Sequence, residues 1–452
     1  LNSVDEAYLG YKGRVAGILK NMGFDVGDRI KIVRGDRVFE GVLMPREKLY
    51  GSRPIVVIKL DNGYNVGVRI DETTRIELVE KKKQRVYTKP KIVQRSDLPH
   101  VAFLSTGGTI VSKVDYETGA VKPALSVEEL LEWVPEIGET AYIDAKIILN
   151  VFSEDLTPSH WALIAEKVYE EFKKGKAGVV IAHGTDTMGY TAAALAFAIR
   201  RKPGPIVFVG AQRSSDRPST DSAFNLKSAF LVAAQADIAE SVVVMHGETG
   251  DTYALVHRGV KVRKMHTSRR DAFQSINDLP VARVFPDEKK IEIIGRVLHR
   301  RSKDGEPVLR NKFDDKVALI KFYPGMHPDI FEHLIDDGYH GIVVEGTGLG
   351  HIANRLIPVL EKARKEGVPV VITSQCLFGR IDLYVYSTGR RLIEAGVIPG
   401  SDMLPETAYV KLSWILGSHT TDLDKVRELM LKNFEGEINP RLTVNLYPRW
   451  II

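Results

Sequence analysis

Gly178-Val179-Val180-Ile181-Ala182-His183-Gly184-Thr185-Asp186-Thr187-Met188 decides how this chain is read. Its first five residues are an apolar run of strand length without polar alternation, the mark of a strand buried on both faces. The next six hold a glycine, two threonines and an aspartate, and a helical pattern from Thr191 to Arg200 follows. Strand, loop and helix make the repeating unit of a parallel sheet. Such sheets bind ligands at the carboxyl ends of their strands, where loops present N–H groups and side chains.

The same rhythm extends to both sides. Strands are expected at Val101–Ser105, Ala145–Val151, Ile206–Val209 and Val242–Met245, with helices at Ser159–Lys174 and Asp221–Ala236. Thr157 suits the N-cap of the first helix and Pro158 its first turn. After a polar stretch, a second set begins with strands at Val317–Lys321, Gly341–Val344 and Val368–Ile372. Helices are expected between them at Asp329–Asp336 and Asn354–Glu366, and later at Thr407–Leu416 and Asp422–Phe434. The pattern changes before residue 95, where short β-rich runs are separated by Gly27-Asp28, Gly35-Asp36 and Asp61-Asn62-Gly63. Alternation broken by such turns reads as a small antiparallel sheet or barrel. The organisation expected is a basic β-barrel-like domain (1–80), a charged linker (81–99), a large α/β domain (100–290), a linker (291–315) and a smaller α/β domain (316–452).

Of the 452 residues, 44% are hydrophobic and 27% charged, which excludes collagenous, disordered and disulfide-scaffold classes. The one cysteine, Cys376, excludes an intramolecular disulfide and a CxxC site. At the end of an apolar strand, it is expected in the core. No apolar stretch follows a basic start, and the longest apolar run, Ala192 to Ile199, falls far short of the ~20 residues of a membrane span. The expectation is a soluble, cytoplasmic protein with no membrane segment. Residues 1–99 carry 20 Lys+Arg against 13 Asp+Glu, a net of +7, while the rest carries 43 against 45, a net of −2. A basic segment on a near-neutral body suits an anionic partner such as nucleic acid or an acidic protein, and equally suits a lysine-rich surface.

Three loops could carry chemistry. Ser105-Thr106-Gly107-Gly108-Thr109-Ile110 follows a strand and offers hydroxyls beside two glycines, although a plain Gly-Gly turn explains it too. His183 to Met188 adds a second hydroxyl and a carboxylate at the same sheet edge; the structural alternative makes Asp186 or Thr187 a helix N-cap. A threonine hydroxyl is a feeble nucleophile and needs a base that is itself oriented. Val260 to Thr267 supplies two lysines, Lys261 and Lys264, ahead of Asp271-Ala272-Phe273-Gln274-Ser275. Other signals are discounted. Gly346-Thr347-Gly348-Leu349-Gly350 has the wrong spacing for a dinucleotide loop, no GxxxxGK[ST] string occurs, and the histidines show no metal-ligand spacing. No metal site is expected.

Together these loops resemble the bacterial-type L-asparaginase/glutaminase family. The likeness rests on Thr106 to Ile110, His183 to Met188, Phe208-Val209-Gly210-Ala211-Gln212-Arg213 and the Lys264…Ala272-Phe273-Gln274-Ser275 segment. Ser153-Glu154-Asp155, Thr373-Ser374-Gln375-Cys376 and Tyr386-Ser387-Thr388-Gly389 agree with it, and the likeness spans about residues 100–445. It implies an asparaginase-like two-domain α/β body with parallel sheets. It also implies Thr109 as nucleophile, Thr185 and Asp186 as the second threonine and its aspartate, and Gly108 beside the oxyanion. Lys264 matches the family lysine through its nine-residue distance to Phe273, with Lys261 as the alternative. Ser153 and Glu154 match positions that hold the substrate's α-carboxylate and α-amino group. The family's flap tyrosine has Tyr116 as its only counterpart, at an unusual spacing.

With its small all-β, barrel-like N-terminal domain, the chain further resembles the glutaminase subunits of archaeal glutamyl-tRNA(Gln) amidotransferases. That likeness implies glutamine as substrate and no cofactor in this chain. It implies a partner, the E-type subunit of such enzymes, that binds Glu-tRNA(Gln) and uses ATP with Mg. A homodimer of this chain within a heterotetramer is expected. The rival readings are a free cytosolic L-asparaginase and a non-catalytic nucleic-acid-binding adaptor.

Overall fold

The computed structural model describes residues 8–46, 54–61, 64–82, 94–107, 110, 112–114, 121–123, 126–214, 219–302 and 305–447. These form two compact units. The first holds the described residues up to 82 with 112–114, 121–123, 213–214 and 219–220, and the second holds the remainder.

In the first unit, helix α1 (Gly13–Asn21) precedes β1 (Arg29–Arg34), β2 (Arg37–Leu43), β3 (Ile55–Lys59), β4 (Asn65–Arg69) and β5 (Arg75–Glu80). The strands form one antiparallel sheet in the order β4-β3-β2-β1-β5. Alternation sends Ile30, Ile32, Val56 and Ile58 to the inner face, where Val15 and Leu19 of α1 cover them. Tyr11 is fully buried there. Its hydroxyl donates to the Met44 carbonyl at 2.7 Å, and burial raises its pKa to about 12, so the donor proton stays in place.

The second unit begins with β6 (His100–Ser105); the short hairpin β7 (Ser112–Val114) and β8 (Val121–Pro123) comes next in sequence. Then come α2 (Val127–Trp133), β9 (Tyr142–Ile147), α3 (Pro158–Lys173), β10 (Gly178–Ala182), α4 (Met188–Ala198), β11 (Ile199–Arg200) and β12 (Ile206–Val209). The large domain continues with α5 (Ser222–Gln235), β13 (Ser241–His246), β14 (Ala254–Arg258), β15 (Val262–Lys264), β16 (Phe273–Ser275), β17 (Ala282–Phe285) and β18 (Lys290–Ile293). Eight strands make the main sheet, in the order β18-β17-β14-β13-β12-β10-β6-β9, parallel from β13 to β9 and antiparallel beyond.

The smaller domain carries a parallel sheet of β20 (Val317–Lys321), β21 (Gly341–Gly346), β22 (Val370–Ser374) and β23 (Ile398–Pro399), reached through β19 (Val308–Leu309), which pairs with β11. Its helices are α6 (Asp329–Asp336), α7 (Ile357–Lys365), α8 (Ser387–Glu394), α9 (Pro405–Ser418) and α10 (Leu423–Leu431). Helix α4 is apolar on every side, so it is buried all round. Its Phe197 stacks on Trp414 of α9 at 5.5 Å, and one continuous core spans both α/β domains. That burial fixes the start of α4, and with it the loop that leads in from β10.

Three expectations change. The helix expected at Thr191–Arg200 is observed as α4, Met188–Ala198, and Ile199 and Arg200 instead form β11, paired with β19. The strand placed at Ala145–Val151 is observed as β9, Tyr142–Ile147, because Ile148 and Leu149 both donate to the Ser105 carbonyl and turn the chain away from the ladder. Cys376 is exposed rather than core: it lies two residues beyond β22, where its N–H donates to the Ser374 hydroxyl at 3.0 Å.

Candidate active site

The neighbouring parallel strands β6, β10 and β12 place three loops at one sheet edge. Thr106 donates both its N–H and its hydroxyl to the Ala182 carbonyl, each at 3.0 Å, so the loop after β6 is fastened to the end of β10. Gly107 has φ +114°, and a Cβ there would lie 2.4 Å from the Val151 carbonyl oxygen, so only glycine fits. Thr109, Gly108 and Tyr116 lie outside the described residues.

In the loop after β10, His183 is buried and serves the scaffold. Its Nε2 pairs with Thr191 Oγ1 at 2.8 Å and its Nδ1 with the Gly184 carbonyl at 2.6 Å. Burial lowers its pKa to about 4, which keeps the ring neutral near pH 7. Thr185 follows, half-buried, with its Cγ2 so near Gly210 that a Cβ on that glycine would lie 2.8 Å away. Asp186 is largely exposed.

Lys264 completes the constellation. Its Nζ lies 2.8 Å from Thr185 Oγ1 and 2.8 Å from Asp186 Oδ1. The strand places it there: β15 pairs antiparallel with β16, and Lys264 stands opposite Phe273. The nine-residue spacing that singled out Lys264 is therefore the register of a hairpin. Alternation sends the preceding Arg263 the other way, to Glu406 at the start of α9, 3.2 Å off. The alternative lysine, Lys261, is elsewhere: fully buried, its Nζ lies 2.6 Å from Asp402 Oδ2.

Ser153 and Glu154 sit in a short 3₁₀ turn, Ser153–Asp155, with Ser153 buried. The Thr187 hydroxyl donates to the Ser153 carbonyl at 2.7 Å, so this turn is tied to the Thr185 loop. Thr187 holds the N-cap position of α4, but its side chain makes this cross-loop tie instead of a cap bond. Nothing in its local sequence distinguished those two uses. Among the described residues no group of His, Cys, Asp and Glu is arranged to hold a metal ion, and no helix is long and apolar enough to cross a membrane.

This parallel-sheet body, with threonine, aspartate and lysine in contact at one edge, is of the asparaginase-like class of folds. Residues 100–298 match the model of the asparaginase N-terminal domain and 316–430 that of the glutaminase/asparaginase C-terminal domain. The L-asparaginase of Thermococcus kodakarensis superposes with a TM-score of 0.68 at 34% identity, covering 76% of this chain and 100% of that one. L-asparaginase I of Vibrio cholerae gives 0.65 at 29% identity, covering 76% and 99%. Residues 24–79 match the GatD N-terminal domain. The D subunit of the glutamyl-tRNA(Gln) amidotransferase of Pyrococcus furiosus is 53% identical over 440 residues, 96% of this chain and 99% of that protein. The protein of the same name from Sulfolobus acidocaldarius is 52% identical over 440 residues, 97% of each. The chain belongs to the family of glutamyl-tRNA(Gln) amidotransferase D subunits.

Proposed function

We propose that this chain is the glutaminase subunit of a glutamyl-tRNA(Gln) amidotransferase and that Thr109, Thr185, Asp186 and Lys264 carry its chemistry. The observation that carries the reading is the 2.8 Å contact of Lys264 Nζ with both Thr185 and Asp186, in a chain with this family's N-terminal domain. Lys264, oriented by Asp186, acts through Thr185 while the Thr109 hydroxyl attacks the side-chain amide carbon of glutamine. The threonine O–C bond forms, the C–N bond breaks, and the nitrogen leaves as ammonia after taking up a proton. Water then resolves the acyl-enzyme to glutamate. To the backbone N–H groups at Gly108 and Asp186 we assign stabilisation of the developing oxyanion, and to Tyr116 the role of the family's flap tyrosine.

Ser153 and Glu154 hold the α-carboxylate and α-amino group of glutamine, which gives a test. In Gly184→Ala the new Cβ would stand 2.7 Å from Ser153 Cβ and 2.9 Å from its hydroxyl, so the turn has to move. KM for glutamine should rise about tenfold, roughly 1.4 kcal/mol of binding, with a smaller effect on kcat. Steady-state ammonia release measures both, and an unchanged KM would remove Ser153 from the substrate site.

Making an amide from a carboxylate requires activation. We place that step on a partner, the E-type subunit of the amidotransferase, which binds Glu-tRNA(Gln) and uses ATP with Mg; two copies of this chain sit within a cytoplasmic heterotetramer. Ammonia release by the isolated chain should proceed without ATP, whereas Gln-tRNA should form only when the partner and ATP are added. Gln-tRNA formation by this chain alone would refute the division of labour. Removing residues 1–95 should leave ammonia release in place and weaken coupling to the partner.

A further inference from the structure

At the far end of α4 from Thr185, about 16 Å away along its eleven residues, the structure holds two cavities of about 370 and 310 Å³. Arg200 and Arg201 line both. The larger is also lined by Arg310, Lys432, His419 and Phe434, and no Asp or Glu among the described residues lines it. Arg201, Arg310 and Lys432 are exposed, and none of the three is ion-paired with a described carboxylate. Arg310 instead donates to His419 Nδ1 at 3.2 Å.

The wall behind them is preorganised. Glu435 is buried and binds both Arg200 and Lys202, the latter at 3.0 Å, which joins β11 to the segment after α10. The Phe434 ring lies under three cations, Arg200, Lys411 and Lys432, at 5.2–5.6 Å. Lys411 is neutralised by Glu437 at 2.7 Å.

Helix ends account for part of this charge. Helices α4, α9 and α10 all terminate here, and each C-terminus carries about half a negative charge. Set against Arg200, Arg201, Lys202, Arg310 and Lys432, those ends and Glu435 leave a surplus of about +2.5. The effect reaches His419, whose pKa is lowered by burial and by the neighbouring Arg310 and Lys432. A cavity of this size with unspent positive charge is suited to an anion of more than one charge. Two guanidinium forks and an ammonium group match the several oxygens of a tetrahedral dianion better than they match a lone carboxylate.

We propose that this pocket is a phosphate-binding site, with Arg201, Arg310 and Lys432 as its donors. It lies apart from the glutaminase loops and does not depend on the reading given to them. The phosphate can belong to a small phosphorylated ligand or to an RNA backbone, and the test separates the two. The full chain is titrated at low ionic strength with inorganic phosphate, with ADP and with a tRNA transcript, alongside Arg201→Gln/Arg310→Gln and, separately, Lys432→Gln. Because none of the three side chains is ion-paired with a described carboxylate, the variants should fold and release ammonia at the unaltered rate. Saturable millimolar or tighter binding of phosphate or ADP, weakened at least tenfold in the double variant, supports the proposal with a small ligand as source. The His419 titration midpoint should then rise on adding phosphate. Binding of tRNA alone, with its salt slope reduced by about two in the double variant, supports it with RNA as source. No binding of any probe, or binding that neither variant weakens, overturns it.

Discussion

Replacing Lys264 with methionine should lower the glutaminase kcat by about a thousandfold or more, roughly 4 kcal/mol of lost transition-state stabilisation. Methionine keeps most of the length and removes the nitrogen that touches both Thr185 Oγ1 and Asp186 Oδ1. The fold should survive. Asp186 is 67% exposed at its side chain, so water takes over the contact when the lysine is gone. Thr185→Val removes the other end of the same relay at nearly constant volume and should cost about as much. Groups that act as a unit are not additive, so the double variant should fall little below either single one. Ammonia release together with the denaturation midpoint of each variant checks this. A loss of only a few-fold in Lys264→Met, about 1 kcal/mol or less, would show that another group handles the threonine proton.

The parts of this site legible in the sequence are those in which local pattern and chemistry coincide. Gly178–Ala182 is buried throughout, as an apolar run without alternation requires, and the loop after it carries Thr185 and Asp186 to the sheet edge. The choice of Lys264 over Lys261 rests on distance to Phe273, and the β15–β16 register is what that distance encodes. Other segments lack such a signature. Helix α1 carries Gly13 and Gly17 and is held by packing on the β1–β5 sheet more than by propensity. The antiparallel strands β14, β17 and β18 are short and mixed in polarity, and their long-range partners define them. Helix α8 opens on Ser387-Thr388-Gly389, a poor start by propensity. The structure accepts it because Leu392 and Gly389 are buried against the smaller domain, where a Cβ on Gly389 would strike the Leu383 carbonyl at 2.2 Å. Arg201, Arg310 and Lys432 are far apart in sequence, and only the meeting of three helix ends makes them one pocket.

Lys261 leads to the opposite kind of expectation, a loss of stability without a change in mechanism. Its ammonium and the Asp402 carboxylate are both fully buried and 2.6 Å apart. The carboxylate also accepts from the Asn439 N–H at 2.9 Å and its side-chain amide at 2.8 Å. Asn439 in turn donates to the Asn277 carbonyl, and Asn277 Nδ2 donates to the Gly379 carbonyl at 2.9 Å, so the ion pair sits inside a polar knot that ties the large domain to the smaller one. Burial pulls the Lys261 pKa down, and Asp402 opposes that pull. A hydrophobic replacement of the lysine leaves a carboxylate in the core without its counter-charge, and breaking a buried pair in this way costs about 3–5 kcal/mol. Lys261→Met should therefore move the guanidinium midpoint sharply downward, while the fraction that remains folded keeps near-normal kcat because Lys264 is untouched. Adding Asp402→Asn should recover part of the loss, since the amide carries no charge and its oxygen can still accept from the Asn439 N–H. An unchanged midpoint in Lys261→Met would mean that the knot does not hold the two domains together. A thousandfold fall in kcat with normal stability would exchange the roles given to the two lysines.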